Sequence, residues 1–114
     1  MNGPSQLSLS DWNWAVLMLV QAMIGSVSPN FRMIELAFEN GKWVIRVTLA
    51  SESQADREEV DEICDEMSVF LDGVRGRISD AAYSEITADI VVSQAVIYIK
   101  PQQETRLVFR RREH

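Results

Sequence analysis

Residues 31–50 read FRMIELAFE, then NG, then KWVIRVTLA. Apolar and polar side chains alternate on both sides of Asn40-Gly41, which is the period of a β-strand with one buried face. An Asn-Gly pair between two such runs favours a type I′ turn, because both residues tolerate a positive φ. The stretch therefore predicts a β-hairpin. Its inward-facing residues are Ile34, Leu36, Phe38, Trp43, Ile45, Val47 and Leu49.

Two helical segments flank the hairpin. Residues 12–24 are apolar almost without interruption, and Asp11 is the predicted N-cap. A helix that is apolar nearly all round is expected to lie deep in the core or to be covered on two sides. Residues 54–72 carry apolar side chains at helical spacing after the predicted N-cap Ser53, and Cys64 belongs to this stripe as a small core residue.

Two further strands follow the second helix, over residues 86–92 and 105–111. The second of them is predicted to point Leu107 inward and Arg106 outward, since neighbouring side chains on a strand face opposite sides. The element order α-β-β-α-β-β predicts an α+β fold. We expect a two-layer sandwich in which both helices cover one face of an antiparallel sheet.

The size and composition predict one globular domain. The length of 114 residues and mass of 13.0 kDa fit a single domain over residues 1–114, with a flexible N-terminus over residues 1–10. The sequence has one cysteine and one histidine, too few for most zinc sites or for a histidine-dependent catalytic triad. We therefore expect no enzymatic activity, no cofactor and no metal ion.

The apolar run over residues 14–24 does not indicate a membrane protein. As a helix it spans about 16 Å, and a bilayer needs about 20 apolar residues. A secretory signal would require a basic segment before the apolar run, and no Lys or Arg precedes this one. With no export signal and a free thiol, we predict a cytoplasmic location and no contact with a membrane.

The negative charge of the chain is concentrated in the second helix. The whole chain carries a net charge of −6, whereas residues 51–72 hold nine acidic residues and one basic residue. This acidic balance disfavours direct binding of nucleic acid, which needs a basic surface. No lysine relieves the repulsion along the helix. The residues predicted to bind a partner, on the side opposite the apolar stripe, are Glu58, Asp61, Glu62, Asp65, Glu66 and Asp72.

Two main interpretations of this acidic helix remain open: the solvated surface of an acidic protein, or a surface that meets a basic partner. Metal binding by stacked carboxylates is a weaker third, because calcium sites need backbone oxygens and a turn that a regular helix does not supply. The C-terminal arginines allow three interpretations of their own. They form a charged edge strand that resists aggregation, a contact with a partner, or pairs within the chain with Glu113 or with acidic residues of the helix. Those arginines are Arg106, Arg110, Arg111 and Arg112.

Three short stretches carry a resemblance to a known group of proteins. They are SPNFR at residues 28–32, DREEV at residues 56–60 and VFRRRE at residues 108–113. Together with the element order, they make the chain resemble small bacterial immunity proteins of contact-dependent growth inhibition and related polymorphic toxin systems. The resemblance implies a cytoplasmic protein that binds one cognate toxin domain and blocks it. In many such systems the toxin is a nuclease that acts on tRNA or DNA.

Electrostatics favours the same function independently. A nuclease active site is basic because its substrate is a polyanion, so an inhibitor that covers it gains from an acidic surface. One alternative is a homo-oligomeric structural or regulatory domain with a solvated acidic face. Another is a small enzyme that uses carboxylates alone, although no motif marks its site.

Overall fold

The computed structural model describes residues 7–98 and 104–113. Two helices and four strands follow the predicted order, so the α+β class is confirmed. A 3₁₀ turn at Arg75–Arg77 follows the second helix. The helices and strands are α1 (Leu9–Met23), β1 (Phe31–Glu39), β2 (Lys42–Leu49), α2 (Gln54–Gly73), β3 (Ile86–Val92) and β4 (Thr105–Arg110).

The four strands form one sheet in the order β3-β2-β1-β4. β1 is antiparallel to β2 and to β4. Asn40 and Gly41 have φ values of 53° and 75°, as a type I′ turn requires. The prediction of a wholly antiparallel sheet is wrong, because β2 and β3 are parallel. The helix α2 connects these two strands and carries the chain back to the end of the sheet where β2 began.

Both helices pack on one face of the sheet and share a single core with it. Trp12 of α1 meets Trp43 of β2 edge to face, with ring centroids 5.1 Å apart. Val60, Ile63 and Met67 of α2 are completely buried in the same cluster. The inward face predicted for the hairpin is therefore confirmed, as is the placement of both helices on one side.

The first helix begins earlier than the sequence predicts. Its N-cap is Ser8, whose hydroxyl accepts a hydrogen bond from the backbone N–H of Asp11 at 3.0 Å. The Asp11 carboxylate in turn accepts from the N–H of Ser8 at 3.1 Å, which completes a capping box. Leu9 and Ser10 thus belong to the first helical turn rather than to a flexible segment, and residues 1–6 lie outside the described residues.

The helix α1 is covered on one side only. Ala15, Leu19 and Ala22 are completely buried against the core. The expectation that α1 lies deep in the core or is covered on two sides is wrong, because α2 packs beside it in the same layer and leaves its outer side uncovered by the described chain. The large apolar residues on this exposed side are Leu9, Leu17, Val20 and Ile24.

A β-bulge changes the side-chain pattern of β4. The pairing of β4 with β1 shifts register at Val108, which inserts one extra residue into β4. Arg106 therefore faces the helices, with its guanidinium 4.3 Å from the ring centroid of Trp12, whereas Leu107 is 44% exposed. The predicted directions of Arg106 and Leu107 are thus wrong. Strict alternation does not allow for the inserted residue.

Replacing Leu36 by Ala tests the assignment of the core. Leu36 is completely buried, so we expect Leu36→Ala to lower the free energy of unfolding by about 2–5 kcal/mol through lost burial and a cavity. Val69→Ala, at a position of α2 that is 69% exposed, is the control and should change it by no more than about 0.5 kcal/mol. Urea unfolding measures both, and equal losses at the two positions would contradict the assignment.

Candidate partner-binding surface

The residues that the sequence predicts to bind a partner lie together on the solvent side of α2. All of them are exposed, while the opposite side of the helix is buried against the sheet. The regular helix accounts for this separation, because its apolar and acidic residues repeat on different sides. We call this surface the acidic face. It consists of Glu58, Asp61, Glu62, Asp65, Glu66 and Asp72.

No basic side chain of the described residues forms an ion pair with the acidic face. Arg57 is the only basic residue of α2, and it turns away to Glu52, donating to its two carboxylate oxygens at 2.5 and 2.8 Å. These hydrogen bonds lower the pKa of Glu52. The negative charge of the acidic face therefore remains without a cationic partner in this part of the chain.

Val69 lies within the acidic face and is 69% exposed. Asp65, Glu66 and Asp72 are its neighbours one helical turn away, at i−4, i−3 and i+3. Val69 was not among the residues predicted to bind a partner, although its position opposite the apolar stripe indicates exposure. It gives the acidic face one exposed apolar side chain.

The stretches at 28–32 and 108–113 meet in the structure. Arg32 is buried, and its guanidinium donates to both carboxylate oxygens of Glu113 at 2.9 and 2.6 Å. Its remaining nitrogen donates to two carbonyl oxygens of the segment after β3, each at 2.8 Å. Arg111 also donates to the Glu113 carboxylate, at 3.0 Å. We call these three side chains the C-terminal clasp.

The third stretch, at residues 56–60, is tied to the first by Asn30. The Asn30 amide donates to the carboxylate of Asp56 at 2.9 Å and to the carbonyl oxygen of Ser51 at 2.8 Å. Asp56 is buried at the start of α2. The stretches that carry the resemblance thus hold the C-terminal end of the chain and the start of α2 against the beginning of β1. Their roles in the structure are architectural.

A comparison with models of protein families identifies the family to which the chain belongs. The family model described as MafI2 immunity protein matches residues 12–113. The chain belongs to the MafI2 immunity protein family. It is therefore an immunity protein of a polymorphic toxin system, and it acts by neutralising a cognate toxin, as the resemblance implied. A search of curated protein sequences finds no match.

Members of an immunity family generally act without catalysis, and Cys64 of this immunity protein agrees with that mode of action. Burial, together with the negative charges of Asp61 and Asp65, raises the pKa of its thiol to about 11. Such a thiol is protonated near neutral pH and is a poor nucleophile. Cys64 packs against the core, as the apolar stripe of α2 predicts.

In residues 7–98 and 104–113, no group of three or more His, Cys, Asp or Glu side chains is placed to hold a metal ion. Neither α1 nor α2 combines the length and the hydropathy that a membrane-crossing helix needs. The absence of a bound metal from this immunity protein stays a prediction.

The C-terminal clasp gives the stability of this immunity protein a specific pH dependence. Hydrogen bonds from Arg32 and then from Arg111 lower the pKa of Glu113 from 4.5 to about 2. A carboxylate whose folded-state pKa is lowered stabilises the fold above its unfolded pKa, and this contribution is lost as the pH falls toward the folded value. The loss is therefore expected between pH 4.5 and about pH 2.

Replacing Glu113 by Gln is expected to remove this dependence. The variant should have a lower free energy of unfolding at pH 7, because Arg32 stays buried without an anionic partner. Its stability should also change less than that of the parent protein between pH 4.5 and about pH 2. Urea unfolding at a series of pH values measures both effects. Glu59→Gln, at an exposed position, is the control, and parallel pH curves for parent and Glu113→Gln would contradict the assigned role.

Proposed function

We propose that this immunity protein covers the basic substrate-binding surface of a nuclease toxin, such as a tRNase, with its acidic face. Membership of the MafI2 family supports a cognate toxin as the partner. The observation that carries the proposal is that all six carboxylates of the acidic face are exposed, and none has a cationic partner in residues 7–98 and 104–113.

The unrelieved charge of the acidic face has an energetic cost in the free protein. Like charges one helical turn apart, such as Asp61 with Asp65 and Glu58 with Glu62, destabilise a helix by a few tenths of a kcal/mol per pair. A basic partner would turn this repulsion into attraction. Complementary charges also steer the two proteins together and accelerate association.

The sign of this surface supports a nuclease as the toxin. A nuclease binds a phosphate backbone and is basic where the substrate lies. An acidic protein can occupy that surface, and the same negative charge disfavours direct contact with nucleic acid by the immunity protein itself. Because RNA and DNA are cytoplasmic targets in bacteria, we also propose that it acts in the cytoplasm. Contact-dependent growth inhibition is the delivery route that the sequence suggests.

Neutralising the acidic face tests the proposal. We expect the variant Glu58→Gln, Asp61→Asn, Glu62→Gln, Asp65→Asn to fold, and to gain a few tenths of a kcal/mol for each relieved pair. Its association with the cognate toxin domain should be slower and less dependent on salt, because steering is lost. Thermal unfolding measures stability. Surface plasmon resonance at low and high salt, with a catalytically inactive toxin domain, measures association.

A second variant controls for net charge. Glu59→Gln, Asp80→Asn, Glu85→Gln, Asp89→Asn neutralises two Glu and two Asp at exposed positions outside the acidic face. It changes the net charge by the same amount as the first variant. Because its four positions lie outside the acidic face, it should slow association less than the first variant does. Equal effects of the two variants would contradict a specific role for the acidic face, and an unchanged association rate in both would show that it is only a solvated surface.

A second candidate function, self-association, is favoured by the exposed apolar side of α1. The exposed residues of this helix include no charged side chain. Two copies of a chain with a net charge of −6 can therefore approach each other there without bringing acidic residues together. The apolar side of α1 and the acidic face of α2 are separate surfaces, so self-association and toxin binding are compatible.

Self-association is tested by charging the exposed side of α1. We expect sedimentation equilibrium to show a dimer for the parent protein and a monomer for Leu17→Glu with Ile24→Glu, because both side chains are exposed in the single chain. The control is Val69→Glu, which places the same charge on α2 and should leave the dimer intact. A parent protein that is monomeric at high concentration would contradict the second function.

A further inference from the structure

The 3₁₀ turn after α2 holds two arginines on aromatic rings. The guanidinium carbon of Arg75 lies 3.8 Å from the ring centroid of Tyr83. That of Arg77 lies 5.5 Å from the ring centroid of Trp14. Both arginines are exposed. We call Arg75 and Arg77, with the two rings beneath them, the arginine turn.

Neither guanidinium of the arginine turn has an acidic partner in residues 7–98 and 104–113. The rest of the sequence contains no Asp or Glu. Asp72, at the adjoining end of the acidic face, accepts a hydrogen bond from the Tyr83 hydroxyl at 2.6 Å instead. In a chain with 17 acidic residues, the arginine turn therefore keeps two cations available for another molecule.

The ring contacts leave both side chains able to bind a planar anion. A guanidinium above a ring is held by cation–π attraction, and its N–H donors can still reach an acceptor at its outer edge. A carboxylate can accept two of these donors side by side. Because the rings already restrict the arginine side chains, less conformational entropy is lost when an anion binds.

We propose that the arginine turn binds carboxylate side chains of the toxin and fixes the orientation in which the toxin meets the acidic face. This inference rests on the proposed function. The two surfaces adjoin at Asp72, so a toxin must present a basic region to α2 and an acidic one beside it. Such a two-sign pattern excludes partners that carry positive charge alone and adds specificity to the electrostatic attraction.

The surroundings favour a protein carboxylate over the phosphates of a nucleic acid. A nucleic acid carries negative charge along its whole length and would be repelled by residues 51–72, whose net charge is −8. A protein surface can change sign within one interface. The acidic partner of the arginine turn is therefore expected on the same molecule as the basic partner of the acidic face.

The variant Arg75→Gln with Arg77→Gln tests the inference against the inactive toxin domain. If the arginine turn binds carboxylates, the dissociation rate should rise about tenfold or more, because charge-assisted hydrogen bonds are lost. Long-range electrostatics alone predicts the opposite, since removing positive charge from the inhibitor of a basic toxin favours binding. The sign of the change in affinity therefore separates the two explanations.

One control variant isolates the cause. Arg110→Gln with Arg112→Gln removes the same charge from two exposed positions outside the turn and should leave the dissociation rate unchanged. Thermal unfolding of each variant shows that the fold is retained.

The outcomes separate this inference from the proposed function. A parent-like dissociation rate in the Arg75→Gln, Arg77→Gln variant overturns this inference. It does not affect the proposed function, which is tested separately by neutralising the acidic face. Binding of a single-stranded RNA oligonucleotide by the parent protein, lost in that variant, would overturn it in favour of phosphate. A parent protein that does not bind the toxin domain would contradict the inference and the proposed function together.

Discussion

The packing of Trp43 at the start of β2 is the contact on which the arrangement of the other elements depends. Its side chain is completely buried between Trp12 of α1 and Phe38 of β1, with ring centroids 5.1 and 4.8 Å away. Its indole N–H donates to the carbonyl oxygen of Ala82 at 2.8 Å, and its backbone N–H donates to that of Glu85 at 2.9 Å. One residue thus joins the hairpin to the first helix and to the loop that leads into β3. With α1 and α2 packed side by side on that core, α2 is left with one free side, on which the acidic face lies.

The parts of the fold that depend on local patterns could be predicted from the sequence. The Asn-Gly turn and the alternating strands define the hairpin, since each depends on neighbouring residues. The parallel pairing of β2 with β3 could not be predicted in this way, because alternation is the same in parallel and antiparallel strands. The bulge at Val108 and the exposed side of α1 depend on how distant elements pack, which a local pattern does not record.

The same distinction applies to the candidate site. The acidic face was predictable because a helix places residues on its surface with a fixed period. The arginine turn was not predictable from the sequence, because the two rings that its arginines contact come from α1 and from the loop after α2. The sequence resemblance was right about the family, yet the clasp formed by Arg32 and Glu113 shows that two of its stretches maintain the fold. Residues that define a family need not be those that contact its partner.

We propose that the acidic face of this MafI2 immunity protein contacts its toxin. Carbodiimide labelling of carboxyl groups, read by mass spectrometry with and without the inactive toxin domain, tests this contact. Labelling of Glu58, Asp61, Glu62 and Asp65 should fall in the complex, while labelling of the exposed Asp80 and Asp89 should be unchanged. Undiminished labelling of the four residues on α2 in a fully formed complex would contradict the claim.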